Sequence, residues 1–151
     1  MASEAPISCS IVVASTLSAS GNVCHGIMSR LKDNGFSRED LFAVHLALQE
    51  AFVNAVRHGN NMDPNKQVKI VYSIASDKVE ITIADEGDGF DPQAVPDPRC
   101  GENLYKPGGR GLLLIYSYMD EVQHNRKGNS ISMVRYKERS PLAENLPQKQ
   151  A

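Results

Sequence analysis

The spacing of hydrophobic residues along this chain predicts helices and strands in a definite order. Apolar residues recur every three or four positions up to about Asp33 and again from Ser37 to Gly59, which predicts two helices, and a third is predicted from Gly111 to Met119. Alternating or β-rich stretches predict five strands: Ile7 to Ala14, Val68 to Ile74, Val79 to Ala84, Glu121 to His124 and Ser130 to Tyr136.

The order of these elements predicts an α+β fold. Strands that follow one another, with helices grouped beside them, are typical of a two-layer sandwich in which helices cover one face of a mostly antiparallel sheet. The first strand is expected at an edge, and no repeated strand–helix–strand unit supports a Rossmann-type sheet. A length of 151 residues suits one domain. We expect that domain at residues 1–137 and a flexible tail at 138–151.

Capping residues indicate where the helices begin and end. Ser37, with Asp40 three positions later, is expected to start the long helix, and Asn34-Gly35 is expected to stop the helix before it. Three hydroxyl residues are candidates to cap that earlier helix: Thr16, Ser18 and Ser20.

The long helix carries a narrow polar strip on a mostly apolar surface. At about 100° per residue, four polar side chains fall within one arc with the small Ala43 and Ala47. These four are Glu50, Asn54, Arg57 and His58. A helix that is apolar around most of its circumference is mostly buried, so this strip is expected to face a partner, a cavity or a ligand. On this stretch alone, a simple solvated face explains the pattern equally well.

A second group of polar and glycine residues follows the third predicted strand. Asp85 continues the inward parity of that strand, so its carboxylate points towards the core and needs hydrogen-bond donors. Gly87 and Gly89 let the chain turn tightly or a flat ligand approach closely. A base-recognition site and an ordinary polar turn both fit these residues. A calcium loop does not fit, because the twelfth position from Asp85 is Pro96.

A third group lies immediately before the third predicted helix. Gly108-Gly109-Arg110-Gly111 would present free amides at a helix start, which favours an anion site, and Lys106 and Arg110 could add charge towards phosphates. The spacing is neither a Walker A loop nor a dinucleotide fingerprint. Residues Pro92 to Pro107, with four prolines and no periodicity, predict a long loop of the kind that forms lids or binding loops.

Composition narrows the class of protein. Sixteen basic and eighteen acidic residues give a net charge near zero, which argues against non-specific binding to nucleic acid or to a membrane surface. No apolar stretch is long enough to span a bilayer. Cys9, Cys24 and Cys100 form neither a disulfide framework nor a metal-type spacing, which fits a reducing compartment and a cytoplasmic location.

The three groups together resemble the N, G1 and G2 boxes of the Bergerat-fold ATPases, the gyrase, chaperone and histidine-kinase type. In order, the matching residues are Glu50, Asn54 and His58-Gly59, then Asp85, Gly87 and Gly89-Phe90, then Gly108-Gly109 and Gly111-Leu112. Within this superfamily, the short domain, Glu102-Asn103-Leu104 and Met119-Asp120-Glu121-Val122 look like the anti-sigma-factor serine kinases. Histidine kinases are disfavoured, because no dimerisation helix with a phosphoacceptor histidine precedes the domain.

The resemblance implies ATP and Mg²⁺ as cofactors and assigns roles to individual residues. It implies that Asn54 ligates Mg²⁺, that Glu50 is the general base, and that Asp85 accepts from the adenine amino group. Family members often carry threonine after the glycine that starts the last strand, and here Asn129 or Ser130 takes that place. The other residues implied to bind the nucleotide are His58, Gly87, Gly89, Lys106, Gly108, Gly109, Arg110, Gly111 and Leu112.

The implied function is an ATP-dependent protein serine kinase that is also an anti-sigma factor. Its expected partners are a small anti-anti-sigma protein of the STAS type, which it phosphorylates, and a sigma factor, with a homodimer as the assembly. Direct contact with nucleic acid or membrane is not expected. The alternatives are a non-catalytic nucleotide-binding module that sequesters a regulatory protein, and a purely structural domain without nucleotide affinity.

Overall fold

The computed structural model describes residues 6–88 and 107–138, with the backbone alone for residues 107–111. The predicted loop from Pro92 to Pro107 lies outside this part except for Pro107 itself, and Gly89, Phe90 and the tail from residue 139 lie outside it as well. The elements in chain order are β1 (Ile7–Ala14), a 3-10 turn (Leu17–Ala19), α1 (Ser20–Asp33), α2 (Arg38–Asn54), a π-helical turn (Ala55–Gly59), β2 (Gln67–Ile74), β3 (Lys78–Ala84), α3 (Pro107–Tyr118), β4 (Glu121–His124) and β5 (Ser130–Tyr136).

The five strands form one antiparallel sheet in the order β1-β2-β3-β5-β4. β1 lies at an edge, as predicted. In β2 and β3, residues of one parity are buried and those of the other parity are not; in β2, for example, Ile70 is buried while Lys69 and Val71 are exposed. In β1 and β4, half-buried residues alternate with exposed ones. The predicted α+β sandwich is therefore confirmed, and its helices lie on one face of the sheet.

The core lies between the sheet and the helices, as the apolar periodicities require. Burying a large aliphatic or aromatic side chain contributes about 1.5–3 kcal/mol, so a dozen such residues hold the two layers together. The largest fully buried side chains are Phe52, Ile27, Leu31, Leu48, Ile70, Ile81, Ile83, Ile115, Met133, Val44, Val56 and Val68. None of the helices in the described ranges combines the length and the apolar character that crossing a bilayer requires.

The start of α1 differs from the prediction. None of the three candidate hydroxyl residues caps α1 through its side chain; the residue before the helix is Ala19, and Ser20 is its first residue. The reason is the 3-10 turn, which leads directly into α1 and supplies the Leu17 carbonyl to the Ser20 amide. The Ser20 hydroxyl donates to the same carbonyl, and Thr16 and Ser18 bond to each other instead.

The junction between α1 and α2 confirms the predicted signals. Gly35 has a φ of 82°, the left-handed conformation that glycine adopts without strain, and α1 stops there. The Ser37 hydroxyl accepts from the Asp40 amide at 3.0 Å, and the Asp40 carboxylate accepts from the Ser37 amide at 3.2 Å, which completes a capping box.

Asp40 also connects the start of α2 to the end of the sheet. Its side chain is 0% exposed, and it accepts from Arg135 Nε at 2.9 Å and from the Glu138 amide at 3.1 Å. Arg135 in turn donates to the Tyr118 carbonyl at 2.8 Å. One buried carboxylate therefore ties α2, the end of α3 and β5 to one another.

Asp40→Ala should destabilise the fold strongly. Removing one member of a buried ion pair leaves its partner uncompensated, so we expect a loss of about 3 kcal/mol, the lower end of the usual range because Arg135 keeps some contact with water. Urea unfolding measures the loss. Asp33→Ala, at an exposed position in the last turn of α1, is the control and should change stability little. Equal midpoints for the two variants would contradict the role of Asp40.

Candidate functional site

Glu50 and Asn54 occupy successive turns of α2 on one face. Both side chains are half-buried, and neither makes a hydrogen bond or an ion pair within the described part of the chain. The residues between them pack inwards, since Ala51 and Phe52 are buried. A carboxylate and a carboxamide that are held on a rigid helix without a protein partner are well placed to contact a ligand.

α3 packs along α2 and limits this face of the helix. Ala43 and Ala47, the small residues of the polar arc, are 1% and 0% exposed, and the ring of Tyr118 at the end of α3 lies edge-on to Phe42 with centroids 5.8 Å apart. Because the end of α3 lies beside the first turns of α2 and the two helices pack together, α3 starts on the side of the later half of α2, which carries Glu50 and Asn54. The N box and the glycine segment are thus brought to one side of the molecule.

The glycine segment lies inside α3 and not before it. The prediction that Gly108-Gly109-Arg110-Gly111 precedes a helix starting at Gly111 is wrong in its boundary, because α3 begins at Pro107. Proline is favoured in the first turn of a helix, where its missing amide costs nothing. The amides of Gly108 and Gly109 fall in that turn, where helix amides lack intrahelical partners. Leu112, predicted to bind the nucleotide, is half-buried and packs against the core.

The long helix, predicted to continue as an α-helix to Gly59, ends in a wider π-helical turn. The α-helix gives way at Ala55 to a π-helical turn that ends at Gly59, and the Asn60 amide donates to the Ala55 carbonyl at 2.8 Å. Arg57 and His58, which an ideal helix would place in the arc of Glu50 and Asn54, are exposed on this turn. Single π-helical turns occur frequently at functional sites, where they redirect the chain.

The turn after β3 packs directly against the end of this helix. A β-carbon on Gly59 would overlap the Asp85 carboxylate, and one on Gly87 would overlap the Gly59 carbonyl. Asp85 Oδ1 accepts from the Gly87 amide at 2.8 Å. The glycines of the N box and the G1 box are therefore needed because the two segments touch through backbone and carboxylate alone.

Burial changes the ionisation of Asp85. Desolvation raises the pKa of its carboxyl group above the usual value, while the Gly87 amide and the charges of Lys66 and Lys127 lower the pKa and offset part of this shift. The ionised carboxylate is thus poorly solvated in the folded protein. Such a group gains most from a hydrogen-bond donor that a ligand brings.

Asn129, on the neighbouring turn, contacts the same residue. Its carbonyl accepts from the Asp85 amide at 2.9 Å, and its side-chain Nδ2 donates to the Asp85 carbonyl at 3.4 Å. Asn125 holds the turn by accepting from the amides of Gly128, Asn129 and Ser130. Of the two candidates Asn129 and Ser130, the former is the one that contacts Asp85 through its side chain.

The sequence analysis does not single out one buried polar residue in this region. Asn60 is 0% exposed, and its side chain bonds to Ser15, Gln67 and Glu86. Its position just after a helix-ending glycine gives no sign of burial, since asparagine is common in exposed turns. Only the packing of β1 and β2 around it makes it internal.

The donor set suits magnesium better than a metal that needs a protein cage. Within residues 6–88 and 107–138, no three histidine, cysteine or acidic side chains are grouped to hold a metal ion. Magnesium bound with a nucleotide takes one or two protein oxygens and completes its shell with phosphates and water. The half-buried Asn54 carboxamide, without a protein partner in the described part, offers one such oxygen.

The chain has relatives among known proteins. Residues 13–135 match the family described as histidine kinase-like ATPase domain. The chain is 34% identical over 118 residues to the serine-protein kinase RsbW of Bacillus subtilis, a match that covers 74% of this chain and 72% of that protein. It is 32% identical over 127 residues to the serine-protein kinase RsbW of Listeria innocua, with 80% and 79% covered.

A solved structure has the same fold. The crystal structure of the RsbU and RsbW domains of a Mycobacterium tuberculosis protein superimposes with a TM-score of 0.59 at 16% identity, and the match covers 89% of this chain and 34% of that chain. At this identity, the likeness concerns the fold alone.

Gly59→Ala should destabilise the protein because its methyl group would overlap the Asp85 carboxylate. Overpacking of this kind costs about 1–3 kcal/mol. The matched control is Gly26→Ala, within α1, where an added β-carbon meets nothing within 4 Å. There the lower flexibility of alanine should raise stability by about 0.5–1 kcal/mol. Urea unfolding distinguishes the two signs, and a stabilised Gly59→Ala variant would contradict the close contact.

Proposed function

The chain belongs to the histidine kinase-like ATPase family, and we propose that it is a serine-protein kinase that transfers phosphate from Mg²⁺-bound ATP to a partner protein. The observation that carries this proposal is that three segments pack together. The Asp85 turn packs on Gly59 at the end of the long helix that carries Glu50 and Asn54, and α3, with glycines in its first turn, packs along the same helix. The family match and the relatives named serine-protein kinase confirm the family that the sequence predicted. The residue roles below remain proposals.

Adenine recognition is proposed for the Asp85 turn. The poorly solvated carboxylate would accept from the exocyclic amino group, and Gly87 would leave room for the flat ring. Asn129 would support this contact by holding the Asp85 backbone through its carbonyl and its side chain. Gly89 and Lys106, which lie outside the described residues, complete the predicted set.

Phosphate binding is proposed for the start of α3. The amides of Gly108 and Gly109 would donate to phosphate oxygens, and the positive end of the helix dipole favours this charge. Arg110 and Gly111, predicted to belong to the same site, follow directly in α3, where their amides lie within the helix. Asn54 would hold Mg²⁺, which supplies charge neutralisation between the phosphates when it is bound. His58, exposed on the π-helical turn, lies four residues further along the chain and is proposed to contact the nucleotide.

Glu50 is proposed as the general base. Its carboxylate, one turn before Asn54, would take the proton from the hydroxyl group of the partner's serine. The serine oxygen would form a bond to the γ-phosphorus while the bond from that phosphorus to the bridging oxygen breaks. The products are phosphoserine on the partner and ADP, with the proton on Glu50. Most of the catalytic effect would come from positioning and charge stabilisation.

The proposed partners follow from the family resemblance. The phosphorylated protein would be an anti-anti-sigma protein of the STAS type, and a sigma factor would be the alternative partner in a partner-switching system. We propose a homodimer as the assembly, since β1 is an edge strand with Val12 52% exposed on its outer face. No direct contact with nucleic acid and a cytoplasmic location complete the proposal.

Glu50→Gln should keep nucleotide binding but lose phosphotransfer. Glutamine retains the shape and hydrogen bonding of the side chain but cannot accept the proton, so we expect the rate to fall by about 10²–10⁴-fold. The measurement is transfer of label from γ-labelled ATP to a serine-containing STAS-type protein, with binding of Mg-ATP followed separately. Gln49→Glu, on the exposed neighbour, is the control. Undiminished transfer by Glu50→Gln would defeat the assignment, and tight partner binding without transfer by the wild type would favour the sequestering module.

Asp85→Asn should weaken nucleotide binding without lowering stability. The raised pKa means that folding favours the protonated form, so the carboxylate costs stability as the pH rises through its pKa, and a neutral amide avoids this cost. The oxygen of the substituted side chain can still accept from the Gly87 backbone amide. Its NH₂ group replaces the second carboxylate oxygen, however, and cannot accept from the adenine amino group. Thermal shifts with and without Mg-ATP measure both effects.

Asp77→Asn is the charge-matched control for this experiment, because Asp77 is exposed in the β2–β3 loop. In the wild type, nucleotide affinity should fall as the pH is lowered through the raised pKa of Asp85, since the protonated carboxyl group accepts less well. A wild-type nucleotide affinity in Asp85→Asn would refute the adenine contact.

A further inference from the structure

Asn60 uses three of the hydrogen-bonding positions of its buried side chain to join three segments. Its Nδ2 donates to Ser15 Oγ at 2.9 Å, just after β1, and to the Gln67 carbonyl at 3.0 Å, at the start of β2. Its Oδ1 accepts from the Glu86 amide at 2.8 Å, in the turn after β3. Because Asn60 directly follows the π-helical turn, the end of the long helix is anchored to all three places.

These contacts close a ring of hydrogen bonds. The Glu86 amide donates to Asn60, the Asn60 side chain donates to the Gln67 carbonyl, and the Gln67 amide donates to Glu86 Oε1 at 3.0 Å. Each of the three residues therefore holds the other two. A closed ring restricts the turn after β3 more than one bond would, since no member can move without breaking two contacts.

The ring lies beside the contact between the N box and the G1 box. Gly59, which packs on Asp85 and Gly87, is the residue before Asn60, and Asp85 is the residue before Glu86. The Asn60–Glu86 hydrogen bond and the Gly59–Asp85 contact are thus neighbouring contacts between the same two segments. The distance between the helix with Asn54 and the carboxylate of Asp85 depends on these two contacts.

We propose that Asn60 is a positioning residue for the nucleotide site, which sets the Asp85–Gly87 turn against the end of the helix that carries Glu50 and Asn54. The inference rests on the proposed function, because it assigns Asp85 to the nucleotide. Asn60 touches neither substrate nor metal in this scheme. It acts through Glu86 on the position of the neighbouring carboxylate.

The hydrogen-bonding groups around residue 60 match the side chain of asparagine. One oxygen must accept from an amide while one nitrogen donates to a carbonyl, and both lie on a side chain that is 0% exposed. Aspartate would bury a charge and oppose its second oxygen to the Gln67 carbonyl, while leucine would leave the Glu86 amide without an acceptor. The buried side-chain polar atoms in the described part all have hydrogen-bond partners, and those of Asn60 are among them.

The test compares Asn60→Ala with Ser15→Ala. Ser15→Ala removes one hydrogen bond of the buried cluster and Asn60→Ala removes three, so both should lower Tm, but Ser15→Ala leaves the bonds from Asn60 to Gln67 and Glu86 in place. The measurement is the Kd of Mg-ATP for the full chain, at a temperature at which each variant is folded by circular dichroism. Asn60→Ala should weaken binding by about tenfold or more, because it frees the Asp85 turn. Ser15→Ala should bind within twofold of the wild type.

Glu86→Ala provides a second variant that folds even if Asn60→Ala does not, since Glu86 is exposed. It removes the bond from the Gln67 amide to Glu86 Oε1 and so opens the ring, but the Glu86 backbone amide still donates to Asn60. It should therefore weaken binding less than Asn60→Ala but more than Ser15→Ala. Wild-type affinity in a folded Asn60→Ala variant would overturn the inference. If that variant is unfolded, wild-type affinity in Asn60→Ser, whose shorter side chain cannot make the bond to the Glu86 amide, would overturn it. Equal weakening by Ser15→Ala and Asn60→Ala would overturn it as well. A wild type that binds no nucleotide would overturn the proposed function itself, which separates the two failures.

Discussion

The contact between Gly59 and Asp85 is the constraint on which the site depends. A glycine that ends one element meets a carboxylate that follows another, at a separation that no β-carbon allows. This contact joins segments that are about 26 positions apart in the sequence, and the sheet makes it possible because β3 lies at the centre of the strand order. The G1 turn is therefore held closely against the end of the long helix, and the Asn60–Glu86 hydrogen bond lies next to this contact.

The energetic cost of this arrangement falls on Asp85. Its carboxylate is desolvated and carries a raised pKa, and the surrounding amide and two lysines offset only part of the penalty. Proteins commonly accept such a local cost at a binding site, because a group that is poorly satisfied in the free protein binds a ligand donor more favourably. Asp40, by contrast, is buried with an arginine, two amides and a hydroxyl cap, and so contributes to the fold.

The two carboxylates illustrate how the same residue type takes opposite roles. Asp40 lies in the first turn of α2, where free amides and the helix dipole favour a negative charge. Asp85 lies at the end of a strand, where one amide is its only hydrogen-bond donor among the described residues. The environment, and not the side chain, decides which carboxylate stabilises the protein and which remains available for a ligand.

The sequence by itself determined the fold class, the five strands, the edge position of β1 and the capping box at Ser37, because these depend on local periodicity and on contacts three or four residues apart. It also indicated the family through the spacing of its three boxes. It did not reveal the 3-10 turn before α1, the start of α3 at Pro107, the π-helical turn or the buried role of Asn60. The start of α3 carries a local signal, the proline at position 107, but the burial of Asn60 depends on how distant segments pack. Its local sequence is the same whether it is exposed in a turn or enclosed by β1 and β2. Only the tertiary structure decides that, because burial and long-range hydrogen bonds are properties of the assembled layers.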